Sequence, residues 1–110
     1  MEKITDQNFD SEIKKFEKPV LVDFFTDWCA PCTQLSPILD NVVKKSGDKI
    51  EFLKINLDNI PLAAQKLGID RIPTVVLFKN GSPLSGFVGL QQEETIIGWL
   101  EKSLSEGVIK

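Results

Sequence analysis

The apolar positions along the chain change period repeatedly, and each change predicts an element. Phe9, Ile13 and Phe16 recur at helical spacing, and Pro19 closes that segment. "VLVDFF" (Val20 to Phe25) is a short, nearly continuous apolar run, which suits a strand covered on both faces at the centre of a sheet. Leu35, Ile38, Leu39, Val42 and Val43 then form the stripe of an amphipathic helix, which Pro37 should kink and Gly47 should end. "IEFLKINL" (Ile50 to Leu57) reads as a second inner strand. With the helix before it, this makes a βαβ unit with parallel strands and a right-handed crossover. "NIPLAAQKLG" predicts a short helix, with Pro61 near its start and Gly68 just past its end. Two extended segments flank Asn80-Gly81, the dipeptide suited to a tight hairpin. Ile96, Ile97, Leu100 and Leu104 stripe a C-terminal helix, with Trp99 beside them as a packing residue.

Composition adds limits rather than chemistry. The 110 residues, 42% hydrophobic and 26% charged, match one ordinary globular domain spanning 1–110, with no linker, repeat or low-complexity segment. Sixteen acidic residues against thirteen basic ones give a formal net charge of −3, with no long block of one sign and no clustered Lys/Arg for nucleic acid. The polar start "MEKITDQNFD" lacks the apolar core of a signal peptide, and no run approaches the ~20 apolar residues that span a bilayer. The expectation is a cytoplasmic protein that binds neither nucleic acid nor membrane.

Both cysteines fall in "DFFTDWCAPCTQL" (Asp23 to Leu35), where the central strand gives way to the first long helix. In open α/β sheets, sites gather at the carboxyl ends of strands. A helix starting near Cys29 would turn its unpaired N–H groups and positive dipole end toward that sulfur, favouring thiolate. Cys32, one turn later, has its Cβ roughly 5 to 6 Å from that of Cys29, within reach of a bond after modest adjustment. Pro31 is tolerated because the first turn needs no donor. Three readings are open. A structural staple closing so short a loop gains only about 2 kcal/mol in the chain-entropy model. A metal site would need a second chain, since there is no His and no third Cys. A redox pair on a βαβ frame suits the spacing best.

The matching segments extend well beyond the cysteines. "VDFFTDWCAPC" (Val22 to Cys32), "PILD" (Pro37 to Asp40), "KINLD" (Lys54 to Asp58), "GIDRIPTVVLFKNG" (Gly68 to Gly81) and "FVG" (Phe87 to Gly89) occur in order and at the expected separations. On these segments the chain resembles the thioredoxin family over essentially its whole length. The resemblance implies a mixed five-stranded sheet, a parallel βαβ half plus an antiparallel hairpin half, flanked by four helices. It implies a monomeric thiol-disulfide oxidoreductase that reduces protein disulfides, carries electrons in cell redox homeostasis and is recharged by a thioredoxin reductase. No cofactor beyond the Cys29-Cys32 disulfide and no metal is implied.

Carried over residue by residue, the resemblance makes Cys29 the exposed nucleophile and Cys32 the buried resolving thiol. Asp23, among apolar strand neighbours, would be the proton acceptor for Cys32, and Lys54 its partner; ordinary solvent-facing strand charges are the alternative for both. Burial should raise the Asp23 pKa and Lys54 lower it, which leaves the net sign open. "RIPT" implies a cis Ile72-Pro73 bond opposite the cysteines, where a trans strand-entry proline is the alternative. Trp28, Ala30, Pro31, Ile72, Pro73 and Gly89 would form the substrate-docking surface, unless Trp28 packs in the core. Three positions depart from the family pattern. Ala30 stands where glycine is commonest, Thr33 where a lysine often follows the second cysteine, and Phe25 in place of the first tryptophan. They leave redox potential and partner choice less defined than the chemistry. A redox-silent binding subunit, or an oxidase or isomerase of secreted proteins, would fit the same frame.

Overall fold

The computed structural model describes residues 3–109, with side chains through 105. Its elements run α1 (Phe9–Lys14), β1 (Val20–Phe25), α2 (Ala30–Ser46), β2 (Glu51–Asn56), α3 (Pro61–Leu67), β3 (Thr74–Lys79), β4 (Ser82–Val88) and α4 (Glu93–Ile109). Short 3₁₀ turns at Gly47–Lys49 and Leu57–Asn59 flank β2. The sheet order is β2-β1-β3-β4, with β1 parallel to β2 and antiparallel to β3, and β4 antiparallel to β3. The apolar run of β1 thus occupies an inner strand, and its first five residues are buried.

The sheet has four strands among the described residues, not the five that the resemblance implies. The backbone before α1 has local partners instead of a strand partner. The Thr5 N–H donates to Asn8 Oδ1 at 2.7 Å, and the Asn8 side-chain amide donates to the Lys3 carbonyl at 3.0 Å. An Asn side chain that satisfies nearby main-chain groups competes with a sheet ladder for the same segment. β2, read from its apolar run as a second inner strand, therefore lies at the edge of the sheet among the described residues, and only one of its six residues is buried. The four expected helices are present.

Alternation along β1 sends its residues to opposite faces. Val20, Val22 and Phe24 enter a cluster with Phe9, Ile13, Ile55, Ile60 and Phe78. On the other face Leu21 joins Leu35, Leu39 and Val42 of α2 and Ile96 and Leu100 of α4. Helix α2 runs through Pro37 as one element and stops at Gly47, whose φ of 62° only glycine adopts freely. Asn80 and Gly81 take φ of 54° and 82°, the left-handed pair that a tight β3–β4 hairpin requires. Trp99 is half-buried: its indole N–H donates to Ser85 Oγ at 2.8 Å, and its ring stands edge-on to Phe87 at 5.0 Å, fixing α4 to β4.

Candidate active site

Strand β1 ends at Phe25, and four residues later Cys29 is the N-cap of α2, with extended dihedrals (φ −134°, ψ 100°). Its Sγ accepts the Cys32 backbone N–H at 3.1 Å, so the sulfur itself satisfies one of the orphan donors of the first turn. Thr33 adds two bonds to the Cys29 carbonyl, from its N–H at 3.2 Å and its hydroxyl at 3.3 Å. Pro31 sits in the first turn, where its missing N–H costs nothing. The two cysteines are joined in a disulfide, with Cα atoms 5.2 Å apart.

The exposed position that the resemblance implies for Cys29 is not observed in this oxidised form. Cys29 is 7% exposed and Cys32 5%, both buried. What separates the two cysteines is their inner neighbours. Cys32, and not Cys29, lines a pocket of about 300 Å³ together with Asp23, Phe25, Thr26, Asp27, Thr33, Ser36 and Lys54.

Asp23 is 2% exposed, and its Oδ1 has no hydrogen-bond partner. It lies on the same face of β1 as Leu21, so a carboxylate takes the next position of an otherwise apolar face. Burial pushes its pKa up from 3.8 to about 6; the charge of Lys54 pulls against this, and Asp40 adds to the rise. The sign that the sequence left open is therefore upward. Lys54 is in register with Asp23 across the parallel β1–β2 pair. Its ammonium nevertheless donates to Ser36 Oγ at 2.5 Å and lies 3.6 Å from Asp40 Oδ1, with no direct bond to Asp23.

The other candidates converge through the sheet. Antiparallel register sets Phe24 beside Thr74 and Thr74 beside Val88, so the end of β1, the start of β3 and the end of β4 share one edge. Ile72-Pro73, immediately before β3, is cis. Gly89, just past β4, donates its N–H to the Pro73 carbonyl at 2.8 Å and has a φ of 89°, a conformation that disfavours any side chain. Trp28 is 94% exposed, which removes the core-packing alternative. Ala30 and Pro31 are exposed beside it, and Val88 and Leu90 add apolar surface next to Gly89. The sequence reading did not single out Ser36. It lies one helical turn after Cys32, so a polar residue at i+4 on that helix face was the available signal.

Among the described residues no group of three or more His, Cys, Asp and Glu side chains could hold a metal, and no helix is long and apolar enough to cross a membrane. The thioredoxin family model matches residues 1–102. The chain is 42% identical over 101 residues to the thioredoxin of Rickettsia prowazekii, covering 92% of this chain and 96% of that protein. It is 36% identical over 101 residues to thioredoxin 1 of Synechococcus elongatus, covering 92% and 94%. Chloroplastic thioredoxin Y of Oryza sativa is 41% identical over 102 residues, which are 93% of this chain and 61% of the rice protein. With a cysteine pair closed at the strand–helix junction, and the Rickettsia and Synechococcus relatives matched along nearly their whole length, the chain belongs to the thioredoxin family of thiol-disulfide oxidoreductases.

Proposed function

We propose that the protein reduces disulfides of other proteins, with Cys29 as nucleophile and Cys32 as resolving thiol. The observation that carries this reading is the asymmetry of the pair. Cys29 caps a helix and its sulfur accepts the Cys32 N–H, while Cys32 borders a pocket holding a carboxyl whose Oδ1 has no partner. In the dithiol form the Cys29 thiolate attacks one sulfur of a substrate disulfide, forming a mixed disulfide and expelling the other substrate sulfur as thiolate. Asp23 then takes the proton from Cys32, directly or through a water. The Cys32 thiolate attacks the Cys29 sulfur, the mixed disulfide breaks, and the second substrate thiolate leaves. Two electrons pass to the substrate, and the protein departs as the disulfide.

Asp23 with a pKa of about 6 suits this work, because an acceptor near the operating pH is ionised yet still basic. Lys54 keeps that value from rising further, acting through its field. Thiolate activation alone explains little. Lowering a thiol to about 7, a value usual for thioredoxins, raises its thiolate fraction at neutral pH roughly 16-fold, while a Brønsted coefficient near 0.45 returns about a factor of 5. The remaining gain of about threefold leaves most of the rate to leaving-group quality and to aligned docking. Trp28, Ala30, Pro31, Ile72, Pro73 and Gly89 form the docking surface in this reading, with the Ile72 backbone pairing to the substrate chain. A thioredoxin reductase returns two electrons to the disulfide, and the protein works as a cytoplasmic monomer without metal or further cofactor.

Cys32→Ser, incubated reduced with a cell lysate, should accumulate mixed disulfides through Cys29 that dithiothreitol releases. The unsubstituted dithiol should reduce insulin and show a potential near −270 mV, as thioredoxins do. A potential near −120 mV would assign the protein to oxidation instead. Failure both to trap partners and to reduce insulin would leave only a binding role.

A further inference from the structure

The position of Lys54 is the unexplained feature of the pocket. It is the register partner of Asp23, whose buried Oδ1 has no hydrogen-bond donor and would attract an ammonium. The ammonium nevertheless binds Ser36 Oγ and lies beside Asp40 near the mouth of the pocket, 5.8 Å from the Phe52 ring. We propose that Ser36 is a positioning residue for the exchange reaction: its hydroxyl anchors Lys54 at the rim and so keeps Asp23 without a direct cationic partner. The proposal rests on the reading of Asp23 as the proton acceptor for Cys32.

The physical consequence lies in basicity. An ammonium bonded directly to a carboxylate holds it ionised down to low pH and weakens it as a base. Held at the rim, the same charge acts only through its field, and burial keeps the carboxyl high. Ser36 can do this because it lies on α2 one turn after Cys32 and one turn before Asp40, on the face turned to the pocket. The other charged or titrating groups facing Asp23 are Cys32 and Asp40 from α2, Lys54 from β2 and Asp27 from the loop after β1; β3 presents only Val75 opposite it. None of them donates a hydrogen bond to Asp23 Oδ1.

The test is the titration of the Asp23 side-chain carboxyl by ¹³C NMR in the full chain, oxidised and reduced. Ser36→Ala should release Lys54 inward and lower the Asp23 midpoint by about half a pH unit or more, and Ser36→Thr, which keeps the hydroxyl, should restore it. In a Lys54→Met background Ser36→Ala should leave the midpoint where it is, because its effect runs through the ammonium. An unchanged midpoint in Ser36→Ala, or an equal shift without Lys54, overturns the proposal alone. The pH profile of Cys32 attack on a preformed mixed disulfide, followed by stopped flow, should move with the midpoint. A profile that stays fixed while Asp23 moves overturns Asp23 as acceptor, and the positioning role of Ser36 in the exchange with it. Ser36→Ala places a good helix former at a half-buried helical position, so folding is retained.

Discussion

Leu21 and Asp23 are successive residues on one face of β1, both buried and both bordered by α2, yet they stand in opposite environments. Leu21 meets Leu35, Leu39 and Val42 in a closed apolar core. Asp23, one step nearer the carboxyl end, opens on a pocket with Cys32, Ser36 and Lys54. The same strand–helix pair therefore supplies cohesion along its length and chemistry at its end. A carboxylate without a hydrogen bond is unfavourable in such a place. It persists because the core beside it carries the fold.

The contrast breaks most visibly on the core side. Leu39 is fully buried, so Leu39→Ala should cost about 2–5 kcal/mol in urea unfolding, a large share of the ~5–15 kcal/mol that holds a domain together. Insulin reduction per folded molecule should stay near the unsubstituted rate. A variant equally stable but slow would show that the core and the pocket are one unit.

On the pocket side the sign reverses. An unfolded Asp titrates near 3.8 and Asp23 in the fold near 6, so the native carboxyl holds its proton over a range where the unfolded chain releases one. Below about pH 3.8 both states are protonated and Asp23 is neutral in effect. Stability falls as pH rises from there to about 6 and levels off above it. That rise corresponds to an upper bound of about 3 kcal/mol, reduced by water entering the pocket. Asp23→Asn should therefore stabilise the protein at pH 8 by up to that amount and leave it unchanged near pH 3.5. Resolution of a mixed disulfide should slow on the order of 10²-fold. Equal stabilities at pH 8 would place Asp23 in water after all, and a gain that persists at pH 3.5 would trace it to packing rather than charge.

Much of this contrast is legible in the residues. The unbroken apolar run of β1, the α2 stripe from Leu35 to Val43 and the Asn80-Gly81 turn each specify one local structure, because side-chain period and backbone preference agree there. Asp23 stands out for the same reason, as a charge inside "VLVDFF". The direction of its pKa was not legible, since burial and Lys54 oppose one another and only their positions decide. Nor was Ser36, whose importance comes from where Lys54 extends rather than from any pattern. The fifth strand that the resemblance implies is not found among the described residues; before α1, Asn8 bonds the backbone of Lys3 and Thr5, a local arrangement that apolar periodicity does not reveal.

Trp28 tests the contrast at its outer limit. Its ring is 94% exposed, so the fold gains almost nothing from it, and Trp28→Ala should change unfolding free energy by no more than about 0.5 kcal/mol. Yet a flat aromatic beside Cys29 is costly to leave in water unless something covers it, and in the proposed reaction the substrate chain does so. The loss should therefore appear as about a tenfold fall in kcat/KM for insulin, equivalent to about 1.4 kcal/mol, and be smaller for a small aromatic disulfide that cannot span from Trp28 to Gly89. Equal losses with both substrates would mean that Trp28 acts on the Cys29 sulfur itself. A fall in stability of the size expected for Leu39→Ala would mean that the rim belongs to the core, and the division between cohesion and chemistry along α2 would have to be redrawn.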